Sequence, residues 1–239
     1  LFHDNVTQGM LREALQMGLP VLGGCPYMDQ DQRRHIDWCF DTAEAFNVPL
    51  DFHADSSDDP ALLTCTYIAE QTMARGMQGR VVLGHLCTLD MLEPDQRSQV
   101  IDLLQRAGLH AISLPATELH VKGRSNAPRT WRGVTRIGEL RHAGVNVSIS
   151  TNNIVNPFTP YGHPDLLRQS LITAMVAHLG NLEQMARIKH ICGDKITLIS
   201  GDDGLTLPVL AIGGTGVISV VANIMPREVS KLVHAFQKG

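Results

Sequence analysis

The sequence predicts an α/β chain folded as a (β/α)8 barrel, on three observations. Short apolar, β-branched runs recur about every thirty residues, helix-patterned stretches lie between them, and no linker or low-complexity segment breaks the rhythm. Seven strand runs are visible, at 19–27, 48–55, 80–86, 109–117, 145–151, 195–203 and 216–224, and the opening LFHDN reads as the tail of an eighth. Most are continuous rather than alternating, the pattern of strands buried on both faces. The segments 29–47 and 94–108 place apolar residues at helical spacing, and Gly108, Gly144 and Gly193 stand where helices close before the next strand. An open doubly wound sheet is the alternative, but the first βα turn lacks Gly-x-Gly-x-x-Gly.

The 239 residues, 44% of them hydrophobic, are enough to bury roughly 70% of the surface an unfolded chain exposes. Lys and Arg number 20 against 24 Asp and Glu, a formal charge of -4 without long like-charge runs. That balance argues against nucleic acid or an anionic membrane as partner, and no apolar run is long enough to span a bilayer. The five cysteines are widely spaced with no Cys-x-x-Cys, so reduced thiols are expected. The expectation is a soluble cytoplasmic chain whose partner is a small molecule at the barrel mouth; oligomeric state is not assigned.

In such barrels chemistry gathers where strands end. The strand-end residues here are Asp4, Tyr27, His53 with Asp55, His85, Thr117, Asn152 with Asn153, Asp202 with Asp203, and Asn223. His53 and His85 end consecutive strands, and two imidazoles converging at a barrel mouth form part of a metal site. Taken singly, each histidine reads as a hydrogen-bonded rim residue; the pair shifts the reading toward function. The other histidines, among them His35, His142, His178 and His190, are expected at the surface or in packing.

From about residue 1 to 178 the chain resembles the cytosine deaminase branch of the amidohydrolase superfamily, starting near that family's third strand. The matching segments, in order, are GGCPYMD, LDFHADSSDDP, RVVLGHLCTL, LPATELHVKGR, RGVTRIGEL and NVSISTNNIVNPFTPYG. The resemblance implies that His53 is the fifth-strand metal ligand and that His85 is the sixth-strand histidine assisting the attacking water. It further implies that Asp4, His120, Lys122 and Arg124 line a substrate pocket, and that one divalent metal, zinc or iron, is the cofactor. Three departures accompany it. The family's His-x-His pair is absent, Ser56 stands in place of a glutamate, and Asn152 in place of an aspartate ligand. Neither Ser nor Asn is a general acid or base near neutral pH, and Asp55 and Asp202 are the carboxylates nearest to hand. With this ligand set the metal is expected to be weakly bound or absent.

Residues 180–236 resemble instead the end of dihydrodipicolinate synthase and N-acetylneuraminate lyase, on ISGDD followed by AIGGTGVISVVANI. Those lyases bind substrate through a Schiff-base lysine, and its matching position here is about Val176. The two resemblances meet near 178–181. Six deaminase-type and two lyase-type βα units would add up to one barrel over 1–239, so the chain reads as a recombined or designed chimera. Three functions follow: a metal-dependent hydrolase of a cyclic amide or amidine, a Schiff-base lyase, or a barrel with an incomplete site and little or no catalysis. The first is favoured for ancestry and the third for behaviour.

Overall fold

A computed structural model describes residues 5–124, 133–157 and 159–238. The chain divides into two units, Leu1–Ala177 and His178–Gly239. The first contains α1 (Asn5–Gln16), β1 (Leu22–Gly24), α2 (Gln32–Phe46), β2 (Leu50–Ala54), α3 (Cys65–Ala74), β3 (Val81–His85) and α4 (Pro94–Arg106). It continues with β4 (His110–Ser113), α5 (Pro115–Val121), α6 (Ile137–His142), β5 (Asn146–Ile149) and α7 (Leu166–Val176). Its strands form one parallel sheet in sequence order, β1 to β5. Sequential order with helical crossovers is the βαβ succession expected of alternating apolar runs and helix patterns.

Local chemistry sets the helix ends. The Asp31 carboxylate accepts from the Arg34 N–H at 3.0 Å to open α2, and Asn47 closes it at φ 53°, left-handed. Pro94 opens α4, where a missing N–H costs nothing. Leu50, Phe52 and Ala54 of β2 and Val81 and Leu83 of β3 pack with Ile36, Cys39, Phe40 and Ile68, all fully buried. Phe40 and Phe52 meet with ring centroids 6.0 Å apart. Gly24 lies beneath them, where an added Cβ would come within 2.8 Å of the Phe52 ring.

One expectation lies outside the described residues and three are revised. The opening strand falls on Leu1–Asp4, outside the described residues, and Asn5 already belongs to α1. The run at 109–117 stops as a strand at Ser113; Leu114 opens α5 with Pro115 in its first turn, so Thr117 is helical. Burial on both faces fails at β5, where Asn146 and Ser148 are exposed, because β5 is the outer strand of its sheet. The run at 216–224 is extended only over Gly216–Val217, and Asn223 lies in the helical turn Val221–Asn223.

The second unit holds α8 (Leu182–Cys192), β6 (Ile199–Ser200), α9 (Thr206–Ala211), β7 (Gly216–Val217) and α10 (Pro226–Lys238), with β6 and β7 parallel. A capping box between Asn181 and Gln184 starts α8. The Asp203 carboxylate accepts from the Ser219 hydroxyl and from the N–H groups of Val220 (3.1 Å) and Val221 (3.2 Å), tying the loop after β6 to that after β7. Among the described residues no helix is long and apolar enough to cross a membrane.

Candidate functional site

The structure brings His53 and His85 together, with His53 Nδ1 3.1 Å from His85 Nε2. The sheet register alone would not do so. His53 is paired with Gly84, and His85 with Ala54. Regular alternation would therefore send His85 to the face of Val81 and Leu83, opposite His53. His85 instead has φ 79° and Leu86 φ 53°, a left-handed end to β3 that breaks the alternation. Such a conformation in residues with a Cβ costs on the order of 1–3 kcal/mol and persists only where neighbours enforce it. Here the Thr135 hydroxyl lies 2.5 Å from the His85 carbonyl, and the Leu86 N–H donates to Ala54 at 3.2 Å.

Glu118, which the sequence reading passed over, completes the surroundings of His85. Its Oε1 lies 3.8 Å from His85 Nδ1, and both side chains are buried. The carboxyl accepts from the N–H groups of Leu114 (2.9 Å) and Thr135 (3.0 Å). Thr135 Oγ1 is also 3.0 Å from Glu118 Oε1, yet its single proton is directed to the closer His85 carbonyl. Burial pushes the Glu118 pKa up to about 7 against the opposing hydrogen bonds. Burial, with the neighbouring His53 and Lys122 adding to it, pushes His85 down to about 3, so its imidazole is neutral at physiological pH.

Cys87 follows at the start of the helical turn Cys87–Met91 and is buried; burial, then the Glu118 charge, raises its thiol pKa. Sulfur, a His85 ring nitrogen and a Glu118 oxygen all lie within 4.8 Å of one another. Lys122, which ends α5, donates to the Ser56 carbonyl and lies against Gly133, whose left-handed φ of 63° and missing Cβ make room for it.

The remaining expected residues are placed elsewhere. Asp55, itself left-handed at φ 54°, faces the start of α3, accepting from the Thr64 N–H (2.6 Å), the Thr64 hydroxyl (2.7 Å) and the Cys65 N–H (3.0 Å). Asn152 is exposed at φ 62°; among the described residues no hydrogen bond joins it to either histidine, while Asn153 Oδ1 accepts from Thr117 at 3.3 Å. His120 stacks edge-on against Tyr161, and Arg124 folds back onto it, donating to its carbonyl at 2.8 Å. His120 thus stands in α5 rather than in a loop. Asp4 lies outside the described residues. His35 is a packing residue, bonded to the Cys25 N–H at 3.2 Å and lying 3.3 Å from Asp29.

A parallel α/β sheet whose polar residues gather at its carboxyl ends defines the class of barrel-type proteins that do their chemistry there. Within that class, residues 4–170 match the Amidohydrolase family, and the chain belongs to it. Residues 159–239 match the Dihydrodipicolinate synthetase family, so the chain is chimera-like. A pterin deaminase from Rhizobium rhizogenes is 32% identical over 171 residues, covering 70% of this chain and 39% of the relative. A 4-hydroxy-tetrahydrodipicolinate synthase from Pelobacter propionicus is 54% identical over 74 residues, covering 31% of this chain and 26% of the relative. Among solved structures, 5-methylcytosine deaminase from Klebsiella pneumoniae liganded with 5-fluorocytosine superposes with a TM-score of 0.71 at 27% identity, over 86% of this chain and 48% of that one. The chain spans less than half the length of each.

Proposed function

We propose that this chain is an amidohydrolase-type α/β protein joined to a lyase-type segment, in which the deaminase chemistry of the relatives is no longer complete. The observation that carries the reading is that neither of the two positions at which the family carries its glutamate and its aspartate holds a carboxylate in this chain. Asp55 is held by Thr64 and Cys65, Ser56 occupies the position of the family glutamate, and Asn152 is an exposed amide. Glu118 is a buried carboxyl on the Nδ1 side of His85, away from His53. Hydrolytic deamination needs a group that takes a proton from water and gives it to the leaving nitrogen, and such a group contributes about 10²–10⁴-fold to rate.

The metal implied by the resemblance finds a poor fit. His53 offers one imidazole, with one ring nitrogen already engaged by His85, and an exposed Asn152 amide is a weak ligand beside the three protein ligands of a catalytic zinc. No step is therefore routed through it. The lyase reading lacks its lysine: Val176 lies in α7, and Lys189 is tied to the Gly193 carbonyl at 3.0 Å as a cap on α8. Five free thiols support a reducing, cytoplasmic setting, and a small heterocycle is the ligand class the ancestry favours.

The test is ammonia release from cytosine-type and pterin-type heterocycles, by the full chain supplied with zinc or iron. The wild type is expected to match His53→Ala at the buffer background. Turnover that His53→Ala abolishes would overturn the proposal.

A further inference from the structure

We propose that His85 Nδ1, the Cys87 thiolate and the Glu118 carboxylate form a divalent-metal site of their own, on the opposite side of His85 from His53. The inference goes beyond the reading above, and it stands whether or not His53 supports hydrolysis.

Two independent observations point to a ligand. The first is convergence: sulfur, nitrogen and carboxylate oxygen lie within 4.8 Å of one another, all three residues buried. Two donors on one tetrahedral zinc stand about 3.5 Å apart. The 3.8 Å between His85 Nδ1 and Glu118 Oε1 is too long for a hydrogen bond and close to that spacing. The second is an orphan atom. Among the described residues His85 Nδ1 is buried with no hydrogen-bond partner, a loss that buried polar groups seldom tolerate. A metal would satisfy it.

The surroundings support such an ion. Its second ring nitrogen meets His53, and the Glu118 carboxyl is held by the Leu114 and Thr135 N–H groups; metal-bound imidazoles and carboxylates are commonly fixed in this way. The charges also balance. One thiolate and one carboxylate cancel a divalent cation, so loading a buried site leaves no net charge inside the protein. On binding, the Cys87 thiol and the protonated Glu118 release their protons to solvent as the metal–sulfur and metal–oxygen bonds form. The thiolate, imidazole and carboxylate set suits zinc and its cobalt substitute better than magnesium or calcium.

Cobalt(II) titration of the chelator-treated full chain tests the site, because sulfur-to-cobalt charge transfer in the near ultraviolet reports a thiolate ligand directly. The wild type should bind one equivalent with that absorption. Cys87→Ser should lose the absorption, His53→Ala should keep it, and Glu118→Gln should keep it with affinity lowered by about tenfold or more. A wild type without the absorption, or a Cys87→Ser protein that retains it, overturns the proposal. If Cys87→Ser fails to fold, Glu118→Gln decides: unchanged cobalt affinity also overturns it.

Discussion

Asp55→Ala is expected to lower stability by about 3 kcal/mol or more, because one buried carboxylate serves three donors and its removal leaves them all without a partner. The Thr64 N–H, the Thr64 hydroxyl and the Cys65 N–H are directed at it within 2.6 to 3.0 Å. Each buried donor left unmatched costs about 1–3 kcal/mol, and the connection from β2 to α3 is fixed through this side chain. For a domain of this size the loss corresponds to a fall in Tm of about 6–12 °C. Scanning calorimetry distinguishes this from the role the sequence suggested for Asp55. A residue acting only in catalysis would leave Tm unchanged on substitution, and that outcome would remove the structural assignment.

Phe52→Ala should be at least as severe, at about 3–5 kcal/mol. Phe52 is fully buried at the centre of β2, between Phe40 and the backbone of Gly24, in a core that cannot collapse without moving β1. The same geometry predicts coupling. Gly24→Ala should destabilise the wild type, where its Cβ meets the Phe52 ring, and should cost markedly less in a Phe52→Ala background, where that space is open. Additive losses in urea unfolding would show that the two sites do not share the cavity.

Much of the fold was legible because parallel, buried strands leave continuous apolar runs and their crossover helices leave amphipathic ones. All seven described strands fall within the runs read from sequence, and α2 and α4 lie within the segments patterned as helix. The run at 109–117 misled because LHAISLPAT is apolar throughout. Pro115 with an acidic residue in the turn that follows is a helix-start signal, and reading it would have ended the strand and placed Glu118 on a helix beside it.

The surroundings of the histidines were less legible. That His53 and His85 end neighbouring strands could be read from spacing, but their contact depends on left-handed backbone at His85 and Leu86, which nothing in GHLC announces. Glu118 and Cys87 become partners of His85 only once that turn has directed its Nδ1 toward them, and it is Thr135, fifty residues away, that meets the His85 carbonyl. Asp55 was the opposite case. Its position beside His53 in sequence suggested chemistry, while its own left-handed φ directs it to α3.

The turned end of β3 buries His85 as a neutral imidazole between His53 and Glu118. Its protonated form is disfavoured in the fold, so stability should fall as pH drops below about 6.5, where the unfolded imidazole takes up a proton that the folded one refuses. The most direct measurement is a pH titration of the imidazole nitrogen resonances in chelator-treated protein, with His85 assigned by its loss in His85→Asn. The His85 signals are expected to keep neutral-ring values from pH 8 down to the acid unfolding transition. A His85 that titrates in the folded protein with a midpoint near 6.5 would contradict it.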